Sequence, residues 1–362
     1  MSTDDDLSVP LPRRAFFDED VFDAELTMLE RYPRPVAHVD ALATPGSWVR
    51  SSLPGSALVT VRTAALDLLA MRPICSHRGT LLCDGAHGKF DALEIRCPYH
   101  GWVYATDGAL LAPVAPPGGG NDLNLETFAT RTVFGEVFIG PELHKLALPP
   151  WLRAIEDEPL VRVPLGAKDS VHEVRANWKL LVENFQESHH FPFVHPSLEA
   201  RTAWKDSESL FPEDANELWL GGEMRFREGF ETVSETGKLG KRKHVGVARK
   251  TVLDAYVFPL WLTSLQPDYL LSYRLTPLAV NRTEVAFDVL VHPRSIRADL
   301  EDLRTFWVRT NAEDRAICER QQLGLELGRR SPARNQPVAS EDGLLAFERL
   351  YVREMRASHE EK

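Results

Sequence analysis

Four residues constrain what the first half of this chain can fold around. Cys75 and His77 form a C-x-H pair, Cys97 and His100 form a C-x-x-H pair, and 19 residues separate the two. Two pairs of sulfur and imidazole donors, carried on two loops, can close around a metal centre. Two chemistries take such a set. One is a structural zinc of the Cys₂His₂ type. The other is a [2Fe–2S] cluster with both thiolates on one iron and both imidazoles on the other. The spacing alone leaves both open. With two of the four cysteines beside histidines, metal binding is a better reading than a disulfide. The other two, Cys83 and Cys318, are expected as buried free thiols.

A second constellation follows about a hundred residues on. The run Asn177-Trp-Lys-Leu-Leu-Val-Glu-Asn-Phe-Gln-Glu-Ser-His-His-Phe-Pro-Phe-Val-His195 reads as a helix from about Trp178 to His190. On it Glu183, Glu187 and His190 share one face. Pro192 should stop the helix near His190. His195 then lies just beyond, where the chain can turn back to the same point. Two neutral imidazoles and a carboxylate, with open positions, make the facial triad of non-haem Fe(II) oxygenases.

The rest of the chain frames these motifs. Its 362 residues are enough for two domains, and 43% hydrophobic with 26% charged residues is ordinary globular composition. No apolar run approaches the roughly 20 residues of a membrane span. The acidic start, Met1-Ser-Thr-Asp-Asp-Asp, is unlike a secretory signal, so the cytoplasm is expected. A net charge of −11 argues against nucleic acid as a partner. Residues 1–14 are polar and expected to be disordered at the start. A helical period from Phe16 to about Tyr32 is stopped by Pro33 and Pro35. Residues 36–145 read as a small all-β module of short strands, with a hairpin at Val103–Leu111 and one further strand over Thr132–Gly140. The Gly-rich run Pro116–Asn121 lacks the strand–GxGxxG–helix context of a dinucleotide site, so it reads as a plain loop, and no NAD or flavin site is evident. Residues 146–362 give strands around 217–230, 245–258, 269–276 and 284–291. Long helices follow, over about 298–327 and 340–355. Strands followed by helices predict an α+β domain, an antiparallel sheet with helices on one side.

The runs Cys75-Ser-His-Arg-Gly and Cys97-Pro-Tyr-His-Gly-Trp-Val-Tyr closely resemble the Rieske iron–sulfur family. The resemblance implies that Cys75 and Cys97 bind one iron of a [2Fe–2S] cluster and that His77 and His100 bind the other, facing outward. The second motif resembles the mononuclear-iron motif of Rieske oxygenase catalytic subunits, and this likeness covers about residues 36–355. It implies His190 and His195 as iron ligands, with His189 a near-neighbour outside the set. It also implies a third ligand in Asn311-Ala-Glu-Asp-Arg-Ala-Ile-Cys318. The resemblance places it at Asp314; Glu313 is the rival, and because neighbours on a helix point about 100° apart only one of the two can face the iron. Glu187 stands where the family usually has an aspartate that bridges the two centres, so by analogy it joins His190 to His100 across subunits.

The family fold implies an N-terminal helix (1–35) packed on the catalytic domain, a Rieske domain (36–145) and a helix-grip catalytic domain (146–362). It further implies a homotrimer and electrons from NAD(P)H through a separate flavin or iron–sulfur reductase, in some systems with a ferredoxin. O₂ is activated at Fe(II) beside a small-molecule substrate. Leu265–Thr283, Gly221–Phe226 and Cys318–Leu325 are similar to the branch containing glycine-betaine and carnitine monooxygenases, which hydroxylate an N-methyl carbon. The alternative substrate class is an aromatic ring, mono- or dioxygenated. A remote alternative is an electron-transfer protein without oxygenase activity. A quaternary ammonium would want aromatic faces, for which Phe185, Trp204, Tyr256, Phe258, Trp261 and Tyr273 are available.

Overall fold

The computed structural model describes residues 9–56, 58–112, 123–166, 170–246, 250–296, 298, 300–328 and 341–360. The Gly-rich run 116–121 and the first eight residues, on which a loop and a disordered start are expected, lie outside the described residues. The chain divides into two compact units, residues 30–144 and residues 1–29 with 145–362.

The first unit is built from short antiparallel strands. Its largest sheet runs His87–Lys89, Ser47–Arg50, Val59–Arg62, Leu68–Met71, Thr127–Phe128. A three-stranded sheet carries Glu94–Arg96, Val103–Ala105 and Leu110–Ala112. Their shared core is small (Trp48, Val59, Val61, Met71, Tyr104), and Cys75 and Cys97 are part of it. A third sheet corrects one expectation. Thr132–Gly140 is not one strand: Thr130–Val133 and Glu136–Ile139 pair antiparallel with each other, and Arg34–His38 adds on the outer edge. The turn is Phe134-Gly135, with φ of 50° and 81°. A two-residue hairpin turn of this hand needs positive φ at both positions, and the glycine provides it without a side-chain clash. A Cβ at Gly135 would also run into the His38 ring.

The second unit is an eight-stranded, wholly antiparallel sheet. Its order is Val161–Arg162, Arg282–Val291, Tyr269–Ala279, Trp261–Leu265, Thr251–Val257, Trp219–Arg225, Glu208–Leu210, with Val171–Val174 also pairing Arg282–Val291. Among the described residues, the helices of eight or more residues in this unit are α1 (Glu19–Leu29), α2 (Trp178–Phe185), α3 (Glu301–Leu327) and α4 (Asp342–Glu360). The start of α3 packs Leu303, Phe306 and Trp307 against Tyr269, Leu271, Phe287 and Val289 of the sheet. The expected α+β class is what the chain adopts. One strand escapes the periodicity argument: Trp261–Leu265 is buried at every position, so no alternation marks it.

The Asn-Trp-Lys sequence at 177–179 proves to be a fastening point for α2. Asn177 caps the helix, its side chain accepting from Lys179 N (3.0 Å) and donating to Val280 O (2.6 Å). Trp178 Nε1 donates to Glu25 of α1 (2.9 Å), Lys179 pairs with the same carboxylate, and Tyr351 of α4 donates to it as well (2.6 Å). A fully buried Lys–Glu pair is tolerable only with such added hydrogen bonds. Three helices are thereby tied at the base of the segment that carries His190.

Candidate metal centres

In the first unit the backbone brings the two motifs face to face. Cys75 N donates to Thr80 O (2.8 Å), Gly79 N to Cys75 O (2.8 Å), Cys97 N to Trp102 O (2.7 Å) and Gly101 N to Cys97 O (3.1 Å). Gly79 and Gly101 take φ of 74° and 72°, which closes each loop tightly at its tip. Both sulfurs are buried, whereas both imidazoles are exposed. The His77 and His100 ring centroids lie 4.7 Å apart. Trp102 stacks on the His77 ring at 4.8 Å, with planes 4° apart, so it holds that ring rather than merely filling the core. Burial alone would raise the Cys97 thiol. The backbone amides of His100 and Tyr99 and the Cys75 sulfur outweigh it, and the thiol lies below its ordinary value. Tyr104 completes the lining. Its hydroxyl is 3.3 Å from Cys75 Sγ, 3.1 Å from Ser76 N and 2.8 Å from Ser76 Oγ. Two buried sulfurs backed by amides, with two rings at the surface, fit a cluster whose sulfur side is enclosed and whose imidazole side is open.

The second centre corrects the helix bounds. α2 ends at Phe185, not near His190. The Glu187 carboxylate turns inward and accepts from the backbone N–H of His189 and His190, which starts a new turn. Pro192 sits in the first turn of the following helix, Phe191–Val194, where a proline needs no amide partner. Glu187, Ser188 and the two histidines therefore lie between helices.

Three donors converge here. Ligand atoms of His190, His195 and Asp314 lie within 4.8 Å of one another. His195 Nε2 is 2.7 Å and His190 Nε2 3.6 Å from Asp314 Oδ1. The outer nitrogens are occupied too. Glu187 Oε1 bonds His190 Nδ1, and Glu313 Oε2 lies 2.7 Å from His195 Nδ1. So Glu313, the rival of Asp314 on sequence grounds, faces the far side of the same ring. A carboxylate on Nδ1 fixes the tautomer and leaves the Nε2 lone pair toward the centre. Burial would lower the His195 imidazole, yet Asp314 and Glu313 together raise it above its ordinary value. Two imidazoles and one carboxylate with free space beside them fit a non-haem iron. His189 stays outside this set and packs against Trp204 at 4.9 Å between ring centroids.

The space beside them is a cavity of about 130 Å³ between the sheet and helices α2 and α3. Phe185 and Tyr273, two of the six aromatic candidates, line it, as do Phe191 and Trp307. Tyr256, Phe258 and Trp261 are buried in the core, and none of the three, nor Trp204, borders the cavity. Asn184, whose amide nitrogen is 3.4 Å from His190 Nε2, and Asn311, which accepts from Tyr273 (3.1 Å), stand inside the two iron motifs, but the sequence assigns neither a role.

Comparison with known proteins decides the family. Residues 165–357, more than half of the chain, match the ring hydroxylating alpha subunit (catalytic domain) family, and residues 33–128 match the Rieske [2Fe-2S] domain. The chain belongs to the ring-hydroxylating alpha-subunit family. It is a Rieske non-haem iron oxygenase, so the zinc reading falls. The family carries a [2Fe–2S] cluster and a catalytic iron, and draws electrons from NAD(P)H through a reductase. Among its curated relatives is the glycine betaine monooxygenase oxygenase subunit of Pseudomonas aeruginosa, 24% identical over 88% of this chain and 83% of that protein. A quaternary ammonium Rieske monooxygenase solved with L-carnitine shares the fold, with a TM-score of 0.71 at 20% identity over 95% of each chain. So does a Rhodococcus naphthalene 1,2-dioxygenase bound to indole, with a TM-score of 0.69 at 18% identity over 96% of this chain and 94% of that one. No helix among the described residues of this alpha subunit is long and apolar enough to cross a membrane.

Proposed function

We propose that this alpha subunit hydroxylates an N-methyl carbon of a methylated amine. The hemiaminal so formed collapses to formaldehyde and the smaller amine. The observation that carries the reading is the convergence of His190, His195 and Asp314 at the cavity wall. The curated relatives favour the methylated-amine class over an aromatic ring, since they include glycine betaine and carnitine monooxygenases. In this reading His190 Nε2, His195 Nε2 and Asp314 hold the iron, while Cys75, Cys97, His77 and His100 hold the cluster. When bound, the iron supplies O₂ activation and the cluster supplies the electrons. The residues around them do the positioning. Glu187 and Glu313 keep the Nδ1 protons and aim both rings, and the apolar wall excludes water.

Glu187 has a second part in the proposal, contacting the His100 imidazole of a neighbouring subunit in a homotrimer. Glu187→Gln is then expected to retain both metal centres and to slow product formation by roughly 10–100-fold. Iron analysis alongside turnover checks this, and unchanged turnover removes Glu187 from the electron path.

Tyr104 is placed to donate to the Cys75 thiolate, which stabilises the more negative, reduced cluster. Losing about 1 kcal/mol of hydrogen bond shifts a one-electron couple by roughly 40 mV. Tyr104→Phe is therefore expected to lower the cluster potential by that order, as read in a redox titration followed by electron paramagnetic resonance.

The deciding experiment supplies a surrogate reductase and screens methylated amines against aromatic acids. Stoichiometric formaldehyde from a methylammonium compound supports demethylation. A ring diol or phenol with no amine turnover defeats it in favour of ring oxygenation.

A further inference from the structure

The cavity holds one carboxylate that the metal-facing arrangement does not use. Of the three among the described residues that line it, Glu187 and Asp314 are engaged with the two histidines. The third, Asp254, stands on the strand Thr251–Val257, on the same face as Val252 and Tyr256. Its cross-strand neighbour is Ser264. Gln266 Nε2 donates to the Ser264 hydroxyl at 3.0 Å, and the Ser264 side chain favours the charged form of Asp254 opposite it. Ser264 and Gln266 are both buried. A short polar line thus runs along the sheet floor and ends at Asp254, among Val252, Leu262 and Leu271 of the cavity wall.

No Arg, Lys or His side chain among the described residues pairs with Asp254. Burial holds its carboxyl well above the usual range, up to about 7, with only the Ser264 hydroxyl acting against this. Asp254 is only half-buried by surface area because it borders the cavity, but a carboxylate in an apolar wall without a cation is still unfavourable, and a central strand would ordinarily carry valine or leucine there. Its position, across a cavity whose far wall bears the metal-facing groups, supplies a reason. Tyr273 lines the same cavity, and the charges of both Asp254 and Asp314 act on its hydroxyl. Phe185 packs edge-on against Tyr273 at 6.2 Å between centroids, so aromatic surface borders the same space.

We infer that Asp254 is the counter-ion for a positively charged substrate nitrogen, which it holds over the sheet floor so that an attached methyl group reaches the space beside His190, His195 and Asp314. The inference rests on reading this cavity as the substrate site of an amine demethylase, and it narrows that class to substrates cationic when bound. The aromatic faces complement the same charge. Asp254 is a specificity-determining residue in this account and touches none of the metal-facing groups.

The test is calorimetric and needs no turnover. Holoenzyme at pH 8 is titrated with two cations and their uncharged carbon isosteres: choline against 3,3-dimethylbutan-1-ol, and benzyltrimethylammonium against neopentylbenzene. The wild type should bind at least one cation 10-fold or more tighter than its isostere. Asp254→Asn should erase that preference to within 2-fold and leave isostere affinity unchanged, and Asp254→Glu should restore part of it. A wild type that prefers neither cation, or an Asn variant that keeps the preference, overturns the inference. The wild-type comparison stands even where a variant does not fold. The two readings fail separately: absence of formaldehyde sinks demethylation, whereas absence of a charge preference sinks the role of Asp254.

Discussion

Asp314→Ala is expected to empty the mononuclear site and abolish turnover, while the visible spectrum of the [2Fe–2S] cluster persists. Glu313→Gln is expected to keep iron with an affinity weakened by roughly 10–100-fold. The contrast follows from which nitrogen each residue addresses. Asp314 Oδ1 lies 2.7 Å from His195 Nε2, at the centre where the three donors meet. Glu313 Oε2 lies the same 2.7 Å from His195 Nδ1, on the far side of the ring. Losing the first removes one of three donors. Losing the second leaves all three but frees the His195 tautomer. Iron per subunit before and after dialysis separates the cases, with cluster absorbance as the control for folding. Were Glu313 the ligand, the two variants would exchange behaviour.

Asp254→Asn is expected to stabilise the protein, by an amount that grows as pH rises from about 4 to 7 and is constant above. In the unfolded chain an aspartate titrates near 4, whereas burial in the cavity wall pushes Asp254 up to about 7. The folded state thus keeps this proton longer than the unfolded state does. Its contribution to stability falls as pH rises from about 4 to 7 and is constant above. Three pH units correspond to about 4 kcal/mol, which water in the cavity reduces to roughly 1–3 kcal/mol. Asparagine has the same shape beside Ser264 without the charge. The difference in melting temperature between variant and wild type should therefore be smallest at about pH 4 and below, grow through about pH 5 and 6, and amount to several degrees at about pH 8. A difference that does not change with pH counts against an ionised Asp254 in the folded protein. Stabilisation on losing a cavity carboxylate is the mark of a site kept for binding rather than for folding.

Both metal motifs were legible because their residues are close in sequence. Cys75, His77, Cys97 and His100 announce themselves by spacing, and so do His190 and His195. The α+β class was legible because the strands over 269–276 and 284–291 are long and the helices strongly periodic. What escaped the sequence did so for local physical reasons. Glu187 competes for the backbone amides of His189 and His190, which ends α2 early where a simple 3.6-residue period would carry it on. The Phe134-Gly135 turn lacks an Asn-Gly or Asp-Gly signal and is flanked closely by Val133 and Val137-Phe-Ile139, so a hairpin reads as one strand. The role of Glu313 was hidden because two adjacent carboxylates look like competitors until the ring between them is seen. Asp254 left a trace in Thr251-Val-Leu-Asp-Ala-Tyr-Val, a charge on the face that Val252 and Tyr256 turn inward. A lone polar residue in a strand is too common for that trace to weigh much without the cavity.

Glu313 and Asp314 are successive residues of α3, yet they grip opposite nitrogens of a single imidazole. With about 100° of rotation per residue, the ring must lie across the helix surface to meet both. Seven residues earlier, Trp307 already fixes the rotation of α3 against the sheet. A single residue inserted or deleted between these points would swing both carboxylates past the ring at once, and no side-chain adjustment restores the pair. Length variation in evolution is thereby pushed outside this stretch, before Glu301 or beyond Leu327, while substitutions within it are judged one by one. The chemistry of one ring sets a ruler along the helix.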